Sequence, residues 1–261
     1  MKAALVGAVL LNMTVRGWLP TPVAWFALAP LMVAVERSPS PARAAILTAF
    51  AASGLALPAF EGALPAIPWL FPVLVALGCA PFLLPGFIAS RCSGPLRGEL
   101  VPLTVSVAWV AAEVLASQRW LWGQLASPLA LGYSQAEGPL LPLASAAGVH
   151  GIGLTVLLLN ALVAGVYSAL NFHRWTVLPV PAGLSLFVVL SAASAGPPEI
   201  RADSQTIRAA LVQPALPLPL YDAASTAEPA LSHILTRLRE LTKRAENAHL
   251  TIWPESALPE G

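Results

Sequence analysis

Apolar residues run in long blocks through the first three quarters of the chain, and charged and apolar positions then alternate at shorter intervals. The blocks cover 3–15, 18–35, 43–60, 67–90, 100–117, 151–171 and 176–195, separated by short polar or Pro/Gly-rich punctuation. An α-helix needs about 20 residues to cross a ~30 Å hydrocarbon core. Most of the blocks meet that length, so the pattern predicts a polytopic α-helical membrane domain of about seven spans. The first block is short and follows Lys2, as a signal-peptide core would. Asn12-Met-Thr-Val-Arg16 offers no small-x-small cleavage site, however, and a retained helix is expected. Pro20, Pro22, Pro30, Pro58, Pro65, Pro68, Pro72, Pro81 and Pro85 predict kinked or re-entrant stretches. Lipid tolerates these only where neighbouring helices satisfy the freed backbone groups.

Gly196-Pro-Pro198 ends the last apolar run and sets the expected boundary between residues 1–196 and 197–261. Beyond it, 206–213 alternates apolar and polar positions at its start and carries β-branched residues at both ends, as a strand does. Pro214, Pro217 and Pro219 predict a loop. From about Ala227, Leu231, Ile234, Leu235, Leu238 and Leu241 recur at three- and four-residue steps and define one apolar helix face. Arg237, Arg239, Glu240, Lys243 and Arg244 lie on its wet side. Leu250-Thr-Ile-Trp253 reads as a second strand that Pro254 ends. The expected β-α-β unit requires parallel strands and a right-handed crossover.

Composition agrees with this division. The 261 residues are 57% hydrophobic and only 10% charged, against about 25% charged in soluble domains. Residues 1–196 hold eight basic and five acidic side chains, and the last 65 residues hold six and eight. A net charge of +1 leaves no basic excess for nucleic-acid binding. Cys79 and Cys92 are too few for a disulfide framework, and neither metal-ligand spacing nor a cofactor motif is present. With the N-terminus inside, the inner loops hold Lys2, Arg37, Arg43, Arg91, Arg97 and Arg174, and the outer loops only Arg16 and Arg119. The positive-inside rule therefore predicts a cytoplasmic N-terminus and an extracytoplasmic segment after 197. Trp18, Trp25, Trp69, Trp120 and Trp122 lie near span ends, as interfacial anchors do.

Candidate chemistry centres on Glu255, placed just past the carboxyl end of the second strand, where functional groups of open α/β sheets collect. A carboxylate partly shielded from water by an indole can act as a general base, although a solvated loop position is the plainer reading. Glu113 lies inside a span near its outer end and close to Arg119. It is either functional or a carboxylate that snorkels to the interface. Tyr133 and Gln135, on an outer loop, are candidates to line a lipid entrance or to pack and cap. His150 and Asn160 could bind a head group or hydrogen-bond between helices. Gly148, Gly151, Gly153 and Gly165 read as sites of close helix contact.

Leu250-Thr-Ile-Trp-Pro-Glu-Ser-Ala-Leu-Pro259 resembles the first catalytic motif of the apolipoprotein N-acyltransferases of the nitrilase superfamily. Three other regions are similar to stretches of the same family: Gly17-Trp-Leu-Pro-Thr-Pro-Val-Ala-Trp-Phe-Ala-Leu-Ala-Pro-Leu31, Ala108-Trp-Val-Ala-Ala-Glu-Val-Leu115, and Leu129-Ala-Leu-Gly-Tyr-Ser-Gln135 with Gly148-Val-His-Gly151 and Asn160-Ala-Leu162. The resemblance implies a bacterial inner-membrane protein whose helical domain carries an extracytoplasmic nitrilase-like αββα domain, of which 197–261 holds the first β-α-β unit. It also implies a Glu-Lys-Cys triad working by ping-pong chemistry. The Cys takes an acyl chain from a phospholipid donor as a thioester, then passes it to the α-amine of the diacylglyceryl-cysteine of an apolipoprotein. Glu255 matches the triad Glu. Lys243 does not match the Lys, and Cys79 and Cys92, in the membrane part, do not match the nucleophile. The expectation is thus a chain that cannot react alone and whose sheet is incomplete. Truncation, a gene split and an early stop stand as alternatives. The competing readings are a non-catalytic remnant, half of a split enzyme, a relative that acylates or amidates something else, or a small transporter.

Overall fold

The computed structural model describes residues 1–94, 96–118, 129–172, 182–183, 207–224 and 228–254. The chain divides into two compact units, Met1–Pro198 and Glu199–Gly261. The described part of the first is helical: α1 (Lys2–Val15), α2 (Thr21–Glu36), α3 (Pro41–Phe60), α4 (Phe71–Ala89), α5 (Arg97–Ala116) and α6 (Ala144–Phe172). Of these, α3, α4, α5 and the segment Leu141–Asn171 are long and apolar enough to cross a membrane. The first two helices are shorter. At 1.5 Å per residue the 14 residues of α1 fall well short of ~30 Å, because Gly17 turns the chain at φ +72. Four helices among the described residues therefore meet the length expected of a span. The expected span at 176–195 lies outside the described residues except for 182–183.

Small residues bring these helices together. Ala4, Gly7, Ala8 and Leu11 form the buried face of α1. A Cβ added at Gly54 of α3 would collide with the Ala8 backbone, and one at Gly86 of α4 with the Ala44 carbonyl. Helices in lipid have no hydrophobic drive toward one another, so such close approach is what holds them. α3 starts at Ser40, whose hydroxyl accepts the Arg43 N–H at 3.3 Å, with Pro41 in the first turn, where its missing donor costs nothing.

Near Pro30 and Pro81 the helices are interrupted as expected and a neighbouring helix satisfies a backbone group, whereas Pro58 lies inside α3 without breaking it. α4 tightens into a 3-10 turn at Ala80–Phe82 around Pro81, and the Gly86 N–H beyond it donates to Thr48 Oγ1 at 3.1 Å. α2 breaks at Leu28, two residues before Pro30. The Asn160 side chain of α6 fills that break. Its Oδ1 accepts the Leu28 N–H at 2.7 Å, and its Nδ2 donates to the Ala24 carbonyl at 2.7 Å and the Val156 carbonyl at 2.8 Å. Asn160 is fully buried, so of its two expected roles the inter-helix hydrogen bond is the one observed. α6 is itself broken at Gly148, whose φ of 63 and ψ of −171 are not helical. The span expected at 151–171 is the part after that break.

In the second unit, β1 (Ala209–Leu211) pairs parallel with β2 (Leu250–Ile252) in the register Ala209↔Leu250, Ala210↔Thr251, Leu211↔Ile252. Between them lie α7 (Leu218–Ala224) and α8 (Glu228–Arg244). The single crossover helix expected from sequence is thus two helices, and the strand expected at 206–213 is three residues long. Pro219 sits in the first turn of α7, a position that favours proline and converts part of the expected loop into helix. Ile234 and Leu238 of α8 pack with Val212 and Ala224 as a small core. On the other face of the sheet Leu211 is 79% exposed, and Leu250 and Ile252 are also exposed.

Candidate functional site

The conformation leading to Glu255 is set by the end of β2. Val212 N–H donates to the Ile252 carbonyl at 2.9 Å, which anchors the last strand residue. Trp253 Nε1 then donates to Thr242 Oγ1 at 3.1 Å, and that hydroxyl donates to the Leu238 carbonyl at 2.8 Å within α8. The indole thereby ties the strand exit to the C-terminal half of α8, and Pro254 restricts the backbone that follows. Glu255 itself lies outside the described residues. Lys243 is in the last turn of α8, where a cation complements the helix dipole.

A second cluster of polar groups occupies the end of the membrane unit where α5 stops. Glu113 is 2% exposed, so the expected snorkelling carboxylate is corrected. Three groups hold it inside. Trp109 Nε1 donates to Oε1 at 3.0 Å, the Leu131 N–H donates to the same oxygen at 2.8 Å, and His150 Nδ1 lies 3.4 Å from Oε2. Buried carboxylates persist where donors replace water in this way. Its expected neighbour Arg119 lies outside the described residues.

The Leu131 contact begins a 3-10 turn, Leu131–Gln135, that carries two further candidates. Gln135 is fully buried. Its Oε1 accepts Trp25 Nε1 at 2.9 Å, and its Nε2 donates to the Thr21 carbonyl at 3.0 Å. Trp25 is therefore a buried-side clamp on this loop as well as a residue near a helix end. Gly132 lets the turn lie against α6, since a Cβ there would collide with the Val149 carbonyl. Glu113 and Gln135 hold the two ends of the turn from beneath, while Tyr133 between them is 51% exposed. The structure thus brings Glu113, Tyr133, Gln135 and His150 into one region, with Asn160 one helix segment away in a separate structural role.

Tyr133 forms part of the wall of a pocket of about 750 Å³ at this end of the bundle. Arg16, Gly17 and Trp18 form another part. Arg16 is ion-paired with Glu61 and donates from Nε to Asn12 Oδ1 at 3.0 Å, and its guanidinium lies 5.2 Å from the Trp18 ring centroid. Sequence patterning treated Arg16 and Trp18 as loop charge and interfacial anchor. Their convergence with Tyr133 depends on the Gly17 turn and on a loop more than a hundred residues away in sequence. Among the described residues, no three His, Cys, Asp or Glu side chains gather as metal ligands would.

Three curated proteins are similar to this chain, each named apolipoprotein N-acyltransferase. That of Photobacterium profundum is 30% identical over 165 residues, covering 63% of this chain and 28% of the relative. That of Shewanella oneidensis is 27% identical over 192 residues, covering 73% and 33%. That of Vibrio vulnificus is 30% identical over 152 residues, covering 58% and 26%. The matched part spans about a third or less of the length of these relatives. The family model described as the apolipoprotein N-acyltransferase N-terminal domain matches residues 7–162, which include α1 from Gly7 onward, α2 to α5, the Leu131–Gln135 turn and the larger part of α6. By that match, covering the helices and the clamped polar turn alike, the chain belongs to the apolipoprotein N-acyltransferase family, in its N-terminal domain.

Proposed function

We propose that this chain supplies the membrane platform and the first catalytic motif of a bacterial inner-membrane N-acyltransferase of lipoprotein maturation. The reaction moves an acyl chain from a phospholipid to the α-amine of the diacylglyceryl-cysteine of an apolipoprotein. The family match over 7–162 carries this reading. Two further observations support it. The Trp-Pro-Glu-Ser string begins at the exit of a strand paired parallel to its neighbour, and that sheet has helices on one side and exposed Leu211, Leu250 and Ile252 on the other. A nitrilase-like αββα sandwich uses such a sheet, since parallel strands are normally covered on both faces.

In this scheme Glu255 is the general base. It takes the proton of the nucleophilic thiol during acyl transfer to the enzyme and the proton of the attacking amine in the second half-reaction. The thiol and the oxyanion-stabilising Lys are not among these 261 residues: Cys79 and Cys92 lie within or beside α4, and Lys243 precedes the motif. A polypeptide restricted to these residues therefore does not turn over. The N-terminus is cytoplasmic and the second unit extracytoplasmic. Arg16 and Glu61 meet at one end of the bundle, while Arg97 Nη2 reaches the Glu36 carbonyl at 3.1 Å at the other, an alternation that fits such a topology.

The test joins this chain to the remaining length of the Shewanella oneidensis relative and measures N-acylation of a diacylated lipopeptide with a phospholipid donor. Activity is expected in the joined protein and none in the 261-residue polypeptide. Glu255→Gln should abolish it. Turnover that survives this substitution removes Glu255 from the mechanism. A protease-sensitive tag after Gly261 should be cut from outside intact inner membranes; protection there refutes the orientation.

A further inference from the structure

A groove of about 600 Å³ runs along the first unit where the start of α1, the second half of α2 and the second half of α6 meet. Its floor is small: Ala29 is 5% exposed and Ala164 2%. Phe26, Val163 and Tyr167, each nearly half exposed, form its rims. The groove follows α2 past the break at Leu28. From Phe26 to Arg37 the chain advances eleven residues, about 16 Å at helical rise. That is the depth of one leaflet, half of a ~30 Å hydrocarbon core. Among the described residues of the lining, Arg37 and Tyr167 carry the only polar side chains, and Arg37 stands at the helix end.

This division selects an amphiphile: an apolar chain along the groove and an acceptor at its basic end. A groove left empty in lipid would forfeit the dispersion contacts of its walls. A helix about 10 Å across would fill on the order of 1,200 Å³ over the same length, about twice the volume present, so the slimmer occupant fits. The charge at this end sets the sign of the head group. Lys2, Arg37, Arg43, Arg91 and Arg97 lie at the helix ends on this side, against Glu36 and Glu99. Basic residues at a membrane surface attract anionic lipids, and a guanidinium pairs well with phosphate oxygens. We propose that this groove holds one acyl chain of an anionic glycerophospholipid from the leaflet on the Arg37 side, with the lipid phosphate at the Arg37 guanidinium. The groove lies toward the opposite end of the bundle from Arg16 and Glu61. Its lipid is a bound component of the membrane unit in which no bond forms or breaks, so it is tested apart from the catalytic reading.

The experiment reconstitutes the full chain in phosphatidylethanolamine vesicles containing a trace of phosphatidylglycerol with a diazirine in its acyl chain, irradiates them and maps the adducts by peptide mass spectrometry. Adducts should concentrate on 26–34 and 163–167 over the exposed α4 residues Leu83, Leu84, Phe87 and Ile88. A diazirine phosphatidylethanolamine should label the groove about fivefold less. Val163→Trp, which fills the groove from an exposed position, should lower its labelling about tenfold while α4 labelling stays unchanged, a split that misfolding does not produce. Arg37→Gln should bring the two lipids to equal labelling. Adducts spread evenly over the exposed helix faces, equal labelling by the two lipids in the unaltered chain, or unchanged groove labelling in Val163→Trp overturns the proposal. Labelling by a diazirine oleic acid as strong as by phosphatidylglycerol assigns the groove to an acyl chain alone and overturns the phosphate assignment. A dimer in detergent that Val163→Trp dissociates assigns the groove to a second copy of this chain and overturns the lipid assignment.

Discussion

Replacing Glu113 by Leu would remove one oxygen that accepts two buried donors, Trp109 Nε1 at 3.0 Å and the Leu131 N–H at 2.8 Å. A buried donor left without a partner costs about 1–3 kcal/mol. Hydrogen bonds between membrane helices are worth less, about 0.6 kcal/mol on average and about 1.7 at most, because the unfolded state in the membrane also finds partners. For two donors the expected loss is about 1–3 kcal/mol, concentrated where the Leu131–Gln135 turn is pinned to α5. Glu113→Gln retains an acceptor oxygen for both donors and turns an amide toward His150 Nδ1, now 3.4 Å from Oε2. It should cost no more than about 0.5 kcal/mol. Equilibrium unfolding in mixed micelles measures the global effect, and amide hydrogen exchange at Leu131 measures the local one. The Leu variant should lose Leu131 protection before the rest of the unit, while the Gln variant keeps it. Unchanged Leu131 exchange in Glu113→Leu, or equal destabilisation by Gln and Leu, refutes the view that this carboxylate positions the loop.

Asn160→Leu should destabilise the first unit by about 1–2 kcal/mol in the same unfolding assay, because the Leu28 N–H and the Ala24 carbonyl lose their bridge; a loss that cannot be measured would mean α2 re-forms its own ladder without help. Gly86→Ala places a Cβ against the Ala44 backbone and should cost about 1–3 kcal/mol, whereas Gly62→Ala, with nothing within 4 Å of its Cβ, should be neutral or slightly stabilising. Equal effects at the two glycines would refute the close α3–α4 contact.

Local pattern makes some of this architecture legible. The block at 43–60 became α3, the block at 100–117 became α5, and the three- and four-residue recurrence through Ile234 and Leu238 became α8 with those two residues buried. Pairing of the strands in parallel followed from a helical segment between two short apolar runs. The candidates on the 129–135 stretch were named from their place on an expected outer loop and from the family resemblance of that stretch. Their roles were not legible. Glu113 near a span end reads as a carboxylate reaching for water, and only the turn folded over it reverses that.

What the amino-acid order determines here is each segment's own periodicity: which stretches are helical, where proline and glycine interrupt them, and which face is apolar. These properties depend on neighbours within about four residues along a helix. Tertiary structure decided which polar group meets which. Asn160 repairs a break 132 residues earlier in the chain, and Gln135 holds a carbonyl 114 residues before it. A side chain in lipid must find a partner for every polar atom, yet its own sequence neighbourhood does not name that partner, because the choice is made by the packing of helices at their small residues.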